Sequence, residues 1–359
     1  MQYKKNPVMS KPFIKINDRV IDYDSPAFII AELSANHNQN YETAVKSIKA
    51  IKECGADAVK LQTYTADTIT LDSDKDYFKI KQGTIWDGTT LYELYKKAYT
   101  PWEWQPKLKQ IAGDLGLICF SSPFDKSAVD FLEKLNVPAY KIASFEIVDI
   151  PLIEYIALKG KPVIISTGIA SEEDIKEAVN ACTRSGNNQV ALLKCTSEYP
   201  AKIEDANLKT IPALAQKFNC VVGLSDHTVE LIVPVTAVAL GAKIIEKHFI
   251  LDRKLGGPDS AFSLEPSEFK TMVDEIRKVE KALGKVNFEL TEKIKRSRTF
   301  ARSLFVVKDI RAGERFTEEN IRSIRPADGL PPKYLKDVLG KTAKQNIEKG
   351  TPLSWGMVE

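Results

Sequence analysis

Histidine is scarce in this chain, with only His37, His227 and His248 among 359 residues. Cysteine is nearly as scarce. Cys54, Cys119, Cys182, Cys195 and Cys220 are scattered, none in a CxxC pair. Reduced, buried thiols are the plain reading, in keeping with a reducing cytoplasm. Charge of a single sign is lacking too: 51 basic residues against 48 acidic leave a net charge of +3, too balanced for a nucleic-acid binder. No apolar stretch reaches the roughly 20 residues needed to cross a bilayer. The opening MQYKKNPVMS has no apolar core, so no signal peptide is expected.

What the chain does have is a series of eight short apolar runs. They are FIIAE (28–32), AVKLQ (58–62), ICFSSP (118–123), AYKIAS (139–144), VIISTG (163–168), ALLKCT (191–196), VVGLSD (221–226) and KIIEKHF (243–249). Each is strand-length, and stretches of helical periodicity lie between them. The alternation predicts repeated βα units on a parallel sheet, and eight units predict a (β/α)8 TIM barrel with its active site at the C-terminal strand ends. Helices are expected over 41–54, 101–115, 126–135, 150–159, 171–185, 208–218, 229–240 and 265–283. Ser171 with Asp174 supplies a capping box, and Ser267 offers an N-cap. The domain reading is a tail and hairpin over 1–25, the barrel over 26–283, a polar linker over 284–297 and a small β-rich domain over 298–359. The connection over 63–104 is long and aromatic-rich, with Trp86, Tyr92, Tyr95, Tyr99, Trp102 and Trp104. It reads either as a wall over the strand ends or as a helical hairpin on the barrel's flank.

The runs end in polar, chemically useful residues: Glu32, Lys60, Gln62, Ser121, Ser122, Lys141, Ser144, Ser166, Thr167, Lys194, Ser225, Asp226, His227, Glu246 and His248. Neighbouring barrel strands lie about 5 Å apart. Imidazoles from runs seven and eight can therefore share one metal, with Mn, Mg, Co or Fe as plausible as Zn. The alternative for any lone histidine is a core or surface role. Lysines inside strand-like runs point to an anionic ligand, phosphate or carboxylate. Schiff-base chemistry at Lys141 is the alternative, and the serines can be simple strand-end caps. Glu32 can serve as general base or orient a water. Asp226 and Glu246 can support the histidines or form structural ion pairs. Asp259 lies in a Gly-rich loop, GGPDSAF.

The motifs AELSANHN, VKLQTY, FSSPFD, YKIASFE, ISTG, KCTSEYP, GLSDHT, EKHF and GGPDSAFS, in this order, resemble the sialic acid synthase family. The C-terminal RAGE…ENIRSIRPADGL…LGKTAKQNIEKGTPL resembles its antifreeze-like (SAF) domain. Members acting on N-acetylmannosamine more often read AEAGxNHxG at the first motif. Here Leu33 and Ser34 replace Ala-Gly, and Gln39 replaces the later Gly. ELSANHN and LYELYKKAYTPWEW are most similar to the branch that uses 2,4-diacetamido-2,4,6-trideoxy-L-altrose.

The resemblance implies a transferase. Phosphoenolpyruvate would condense with the open-chain sugar to a nine-carbon 2-keto acid, and phosphate would leave by C–O cleavage. A divalent metal, typically Mn2+ with Mg2+ or Co2+ as alternatives, would sit between His227 and His248. Glu32 would orient the water. Lys60, Ser122, Lys141, Ser144, Ser166, Ser197 and Ser225 would hold phosphoenolpyruvate; family members often carry Thr at Ser122 and Asn at Ser197. Gln62, Tyr199 and Asp259 would lie near the metal or sugar. Arg325 matches an arginine that reaches a partner subunit's site and binds the N-acyl group, which implies a domain-swapped homodimer. The long insert would give apolar contact to the sugar. A cytoplasmic enzyme of flagellin or capsule glycosylation is the expected setting, with neither nucleic acid nor membrane as partner. The same chemistry on N-acetylmannosamine or a legionaminate precursor is the alternative. A Schiff-base aldolase and a non-enzymatic sugar-binding protein are the readings outside this family.

Overall fold

The computed structural model describes residues 11–359; the polar tail expected before them lies outside the described residues. The chain forms two compact units, one through Gly284 and one over Lys285–Glu359.

The first unit opens with an antiparallel hairpin, β1 (Ile14–Ile16) and β2 (Arg19–Ile21), in register Ile14↔Ile21. Asn17 adopts φ 51° at its turn, a left-handed conformation that asparagine tolerates. Ile14, Ile16 and Ile21 bury fully in the barrel's own core. The Tyr23 hydroxyl donates to Cys220 O (2.8 Å), and the Lys15 amide donates to Gln189 Oε1 (3.2 Å). Both acceptors precede barrel strands, so the hairpin closes the N-terminal end.

All eight runs are strands: β3 (Phe28–Glu32), β4 (Ala58–Thr63), β5 (Ile118–Pro123), β6 (Tyr140–Ile142), β7 (Val163–Ser166), β8 (Val190–Cys195), β9 (Val221–Asp226) and β10 (Ile244–His248). They pair in chain order, all parallel, and β10 closes onto β3 in register His248↔Glu32. Closure leaves no edge strand. Both faces are covered, which is why the runs are continuously apolar rather than alternating. The polarity returns only at the C-terminal ends, and there the two-residue period of a strand sorts side chains into an inner and an outer set.

Between the strands run helices such as Tyr41–Glu53, Lys126–Lys134 and Glu172–Arg184. Ser171 and Asp174 form the expected capping box. The last barrel helix, Pro266–Leu283, is capped differently from expectation. Glu265 is the N-cap, reciprocally bonded with Glu268, and Ser267 lies inside the first turn. Proline at the first helical position explains the shift, since its fixed φ favours starting there.

The second unit has a short helix, Glu292–Arg298, that starts within the stretch read as a linker and runs to the first residue of the expected small domain. It then pairs β11 (Ser303–Val306) with β12 (Ile321–Ile324), antiparallel. Leu304, Val306, Ile310, Phe316, Ile321, Ala343, Ile347 and Leu353 bury into its own small core.

Candidate active site

The inner set at the strand ends floors a cavity of about 680 Å³, within the range of small-molecule sites. In β4, Lys60 and Gln62 share the inner face; β6 gives Lys141, β7 Ser166, β9 Ser225, and β10 Glu246 and His248. Ser144, Ser197, Tyr199, His227 and Asp259 line it from the loops that follow strands.

Four buried charges form the floor's core. The Lys60 ammonium is ion-paired with Glu32 and lies 3.5 Å from Glu246 Oε1. It also donates to Ser122 Oγ at 3.2 Å. Lys141 Nζ lies 3.7 Å from the same Glu246 oxygen and donates to Ser166 Oγ (2.6 Å) and Ile142 O (3.1 Å). Ser225 Oγ donates to Glu246 Oε1 at 3.2 Å. Burial would raise the Glu246 carboxyl, but Lys141 and Lys60 together hold it below the usual range. Glu32 behaves oppositely. Burial outweighs its one lysine partner and pushes its carboxyl up to about 7. Burial also draws the Lys141 ammonium down, against the pull of Glu246. Two lysines thus share one fully ionised carboxylate, and an arriving anion finds cationic donors already in place.

The two histidines stand beside this floor with ring centroids 5.4 Å apart. His227 Nδ1 lies 2.8 Å from Thr196 O. A carbonyl only accepts, so Nδ1 carries the proton and Nε2 keeps a lone pair. His248 Nδ1 is buried with no hydrogen-bond partner; Asp259 Oδ2 lies 3.6 Å away. Burial, then the neighbouring His227, keeps the His248 imidazole well below its ordinary value and so neutral. The neutral His248 imidazole with its orphaned buried nitrogen, beside a His227 ring whose Nε2 is the atom left to offer a lone pair, suits a divalent cation. Among the described residues no group of three or more His, Cys, Asp or Glu is arranged to hold a metal. An ion here would therefore take its other ligands from substrate or water. A thiol stands beside this pair: Cys195 Sγ lies 3.8 Å from His227 Nδ1, on the side away from Nε2. Tyr199 (4.5 Å) and Phe262 (5.9 Å) pack on the His227 ring, and Phe262 also packs on His248 (4.9 Å).

The structure separates other candidates from the cavity. Glu32 and Ser122 sit behind Lys60, bonded to it, and do not line the cavity. The reading of Glu32 as the group that touches a water is revised accordingly. Ser121, Lys194 and Asp226 belong to the outer phase of their strands, and Thr167, just past β7, donates to Leu193 O (3.1 Å). Ser121 shares a hydrogen bond with Thr63 (2.6 Å), and Lys194 donates to Cys195 O (2.6 Å). Asp226 pairs with the fully buried Lys247 (2.5 Å) and accepts from the Thr228 amide (3.0 Å), so it supports the barrel wall rather than a histidine. His37 is also outside the cavity. It accepts from the Gln39 amide (3.1 Å), contacts Thr100 Oγ1 (3.0 Å) and packs on Trp104, tying the β3 loop to the insert. Arg325 is exposed just after β12, in the second unit.

Two residues escaped the sequence reading. Glu146 lines the cavity from the turn Ser144–Val148, with Oε2 unpartnered and burial pushing its carboxyl up to about 7. Its only signal was its place in YKIASFE. Gly168 follows β7, and a Cβ there would collide with Ser197 Oγ and lie 2.7 Å from Ser144 Oγ. Only glycine lets these two loops close on one another. The insert over 64–104 forms a wall of the cavity, held by Trp86 Nε1 donating to Pro258 O (2.9 Å).

The NeuB family model matches residues 47–288, and the SAF domain model matches residues 301–359. The chain is 52% identical to the pseudaminic acid synthase of Campylobacter jejuni serotype O:2, over 93% of this chain and 97% of that protein. It is 51% identical to the pseudaminic acid synthase of Helicobacter pylori, over 93% and 98%. Among solved structures, an N-acetylneuraminic acid (sialic acid) synthetase from Leptospira borgpetersenii in complex with citrate superposes with a TM-score of 0.71 at 32% identity, covering 80% of this chain and 95% of that one.

Burial holds the His37 imidazole at about 4, below its usual 6.5. The unfolded chain therefore takes up a proton first as pH falls. The stability that rests on neutral His37 is complete above about pH 6.5 and is lost as pH falls from there toward 4. Urea unfolding should find this contribution on the order of 2 kcal/mol smaller at pH 5 than at pH 7. His37→Gln should remove that part of the slope; an unchanged slope would contradict the assignment.

Proposed function

The chain belongs to the NeuB family, and from that premise we propose that it is a pseudaminic acid synthase. The reaction is the condensation of phosphoenolpyruvate with 2,4-diacetamido-2,4,6-trideoxy-L-altrose. The observation that carries the chemistry is the pair of buried lysines, Lys60 and Lys141, sharing Glu246 on the cavity floor. The 52% and 51% identities to pseudaminic acid synthases, against 32% to the sialic acid synthetase, support the choice of sugar. Family membership also displaces a Schiff-base role for Lys141.

In this reading Lys60 and Lys141 bind the phosphate and carboxylate of phosphoenolpyruvate, with Ser144, Ser166, Ser197 and Ser225 donating further hydrogen bonds. Glu32 and Ser122 act one layer back by holding Lys60 in place. C3 of phosphoenolpyruvate forms a bond to the sugar's aldehyde carbon. Water adds at C2 and gives one proton to Glu246; the C2–O bond to phosphate then breaks, the C2 hydroxyl becomes the keto group, and its proton leaves with phosphate. The aldehyde oxygen becomes a hydroxyl, and Glu146, able to hold a proton near neutral pH, is the group placed to supply one. Gln62, Tyr199 and Asp259 receive the sugar. His227 and His248 would hold a divalent cation, with Mn2+ first and Mg2+ or Co2+ next, because the donors in reach are imidazole and oxygen. Such an ion supplies Lewis-acid polarisation of a carbonyl oxygen.

The proposal extends to a homodimer in which Arg325 of one copy binds the N-acyl group in the other's cavity. It also places the enzyme in the cytoplasm, in a pathway that glycosylates flagellin or capsule. Among the described residues no helix is long and apolar enough to cross a membrane.

Phosphate release from phosphoenolpyruvate with Mn2+, offering each sugar separately with and without chelator, tests the reading. Chelator-sensitive turnover of the diacetamido sugar is expected, and an 18O label at the bridging oxygen should leave with phosphate. Turnover of N-acetylmannosamine or a legionaminate precursor instead would move the assignment to another branch. Chelator-insensitive turnover would remove the metal from the two histidines. For the dimer, mixing inactive His227→Ala and Arg325→Ala proteins, unfolded and refolded together, should restore activity. No recovery would place Arg325 outside the neighbour's site.

A further inference from the structure

The cavity has two chemically different sides. The strand ends contribute charge and hydroxyls. The insert lines the cavity with the polar Lys79, Gln82 and Thr84 and, beside them, with an apolar stripe of Ile69, Ile80, Leu91, Leu94, Tyr95 and Ala98. Four of these lie on the helix Leu91–Ala98, at spacings of three, four and seven from Leu91. That spacing makes a single helical face. A surface helix ordinarily spends such a face on the protein core. This one turns it toward an open cavity, with Glu93, Lys96 and Lys97 exposed on the other side.

The stripe is held in place from behind. The Tyr92 hydroxyl donates to Asp67 Oδ1 (3.0 Å), joining the helix to Ala66–Ile69, and Thr90 caps its N-terminus. Tyr92 therefore braces the wall and does not line the cavity. Tyr64 packs edge-on against Tyr95 (5.6 Å) and Phe124 (5.1 Å), which continues the apolar surface to β5. The one polar atom the six side chains offer is the Tyr95 hydroxyl.

We propose that this stripe determines which sugar the enzyme accepts, by taking the C6 methyl and the methyl of the 4-acetamido group. The inference rests on the synthase reading above. The sugar's C1 must meet phosphoenolpyruvate at the lysine floor, so its C4–C6 end runs away from the strand ends and toward the insert. A C6 methyl there loses water and gains contact. A C6 hydroxyl loses water and finds only the Tyr95 hydroxyl among the six side chains of the stripe, and a hydrophobic pocket discriminates such pairs by about 10²-fold.

The test compares kcat/KM for 2,4-diacetamido-2,4,6-trideoxy-L-altrose with that for its 6-hydroxy counterpart, in the wild type and in Leu94→Asn. The wild type should prefer the deoxy sugar. Leu94→Asn should narrow that preference about tenfold or more, while KM for phosphoenolpyruvate stays the same. Ile69→Thr, on the neighbouring helix, makes the same comparison if Leu94→Asn fails to fold. A preference unchanged in a folded variant overturns the proposal. Failure of the synthase reading is visible separately: the wild type would then turn over neither diacetamido sugar, before any variant is made.

Discussion

Two lysine ammonium groups buried at the end of a barrel are the constraint from which the rest of this site follows. Lys60 and Lys141 are each almost fully buried, and a buried cation persists only where carboxylates and hydroxyls surround it. Glu32, Glu246, Ser122 and Ser166 meet that need, and Ser225 donates to Glu246 in turn. The supply is deliberately uneven in its effect. Glu32 is raised toward neutrality by its burial, while Glu246 stays ionised between both lysines. The floor thus pairs its two ammonium groups with one firmly ionised carboxylate and leaves a cationic balance suited to a multiply charged anion.

The barrel makes this possible through register. β3, β4 and β10 place Glu32, Lys60 and His248 side by side, since Glu32 pairs with both neighbours. β9 and β10 set Ser225 directly across from Glu246. A slip of one residue would exchange the inner for the outer set, sending Lys247 and Asp226 inward and the lysine floor out among the helices. The insert adds what strand ends cannot. Its apolar stripe faces the charged floor across the same cavity.

Much of this was legible in the sequence, for a physical reason. Parallel strands covered on both faces are continuous apolar runs, and all eight stood out. Polar residues at their ends marked the site. What the runs do not reveal without register is which of two adjacent polar residues faces inward. Lys141 and Lys194 look alike as strand-end lysines, and each bonds a carbonyl of its own strand, yet Lys141 also reaches Ser166 and Glu246 on the cavity floor while Lys194 turns to Thr196 Oγ1 outside it. His37 follows a strand as His227 does, but a left-handed turn at Ser34 redirects its loop and the ring ends against Trp104. Glu146 was missed because it sits in a turn beyond the strand, where no periodicity points it anywhere. Glu32 was found as a site residue but placed one layer too far forward.

The claim on which the account turns is that the lysine floor, independently of any metal, binds phosphoenolpyruvate. Calorimetric titration of phosphoenolpyruvate in the presence of chelator, into wild type, Lys60→Met and Lys141→Met, measures this directly. The account predicts binding by the wild type and a loss of about 10²-fold or more in each variant, the usual cost of removing one partner of a buried charge pair. Equal affinity in all three proteins, or no binding by the wild type until metal is restored, would contradict it.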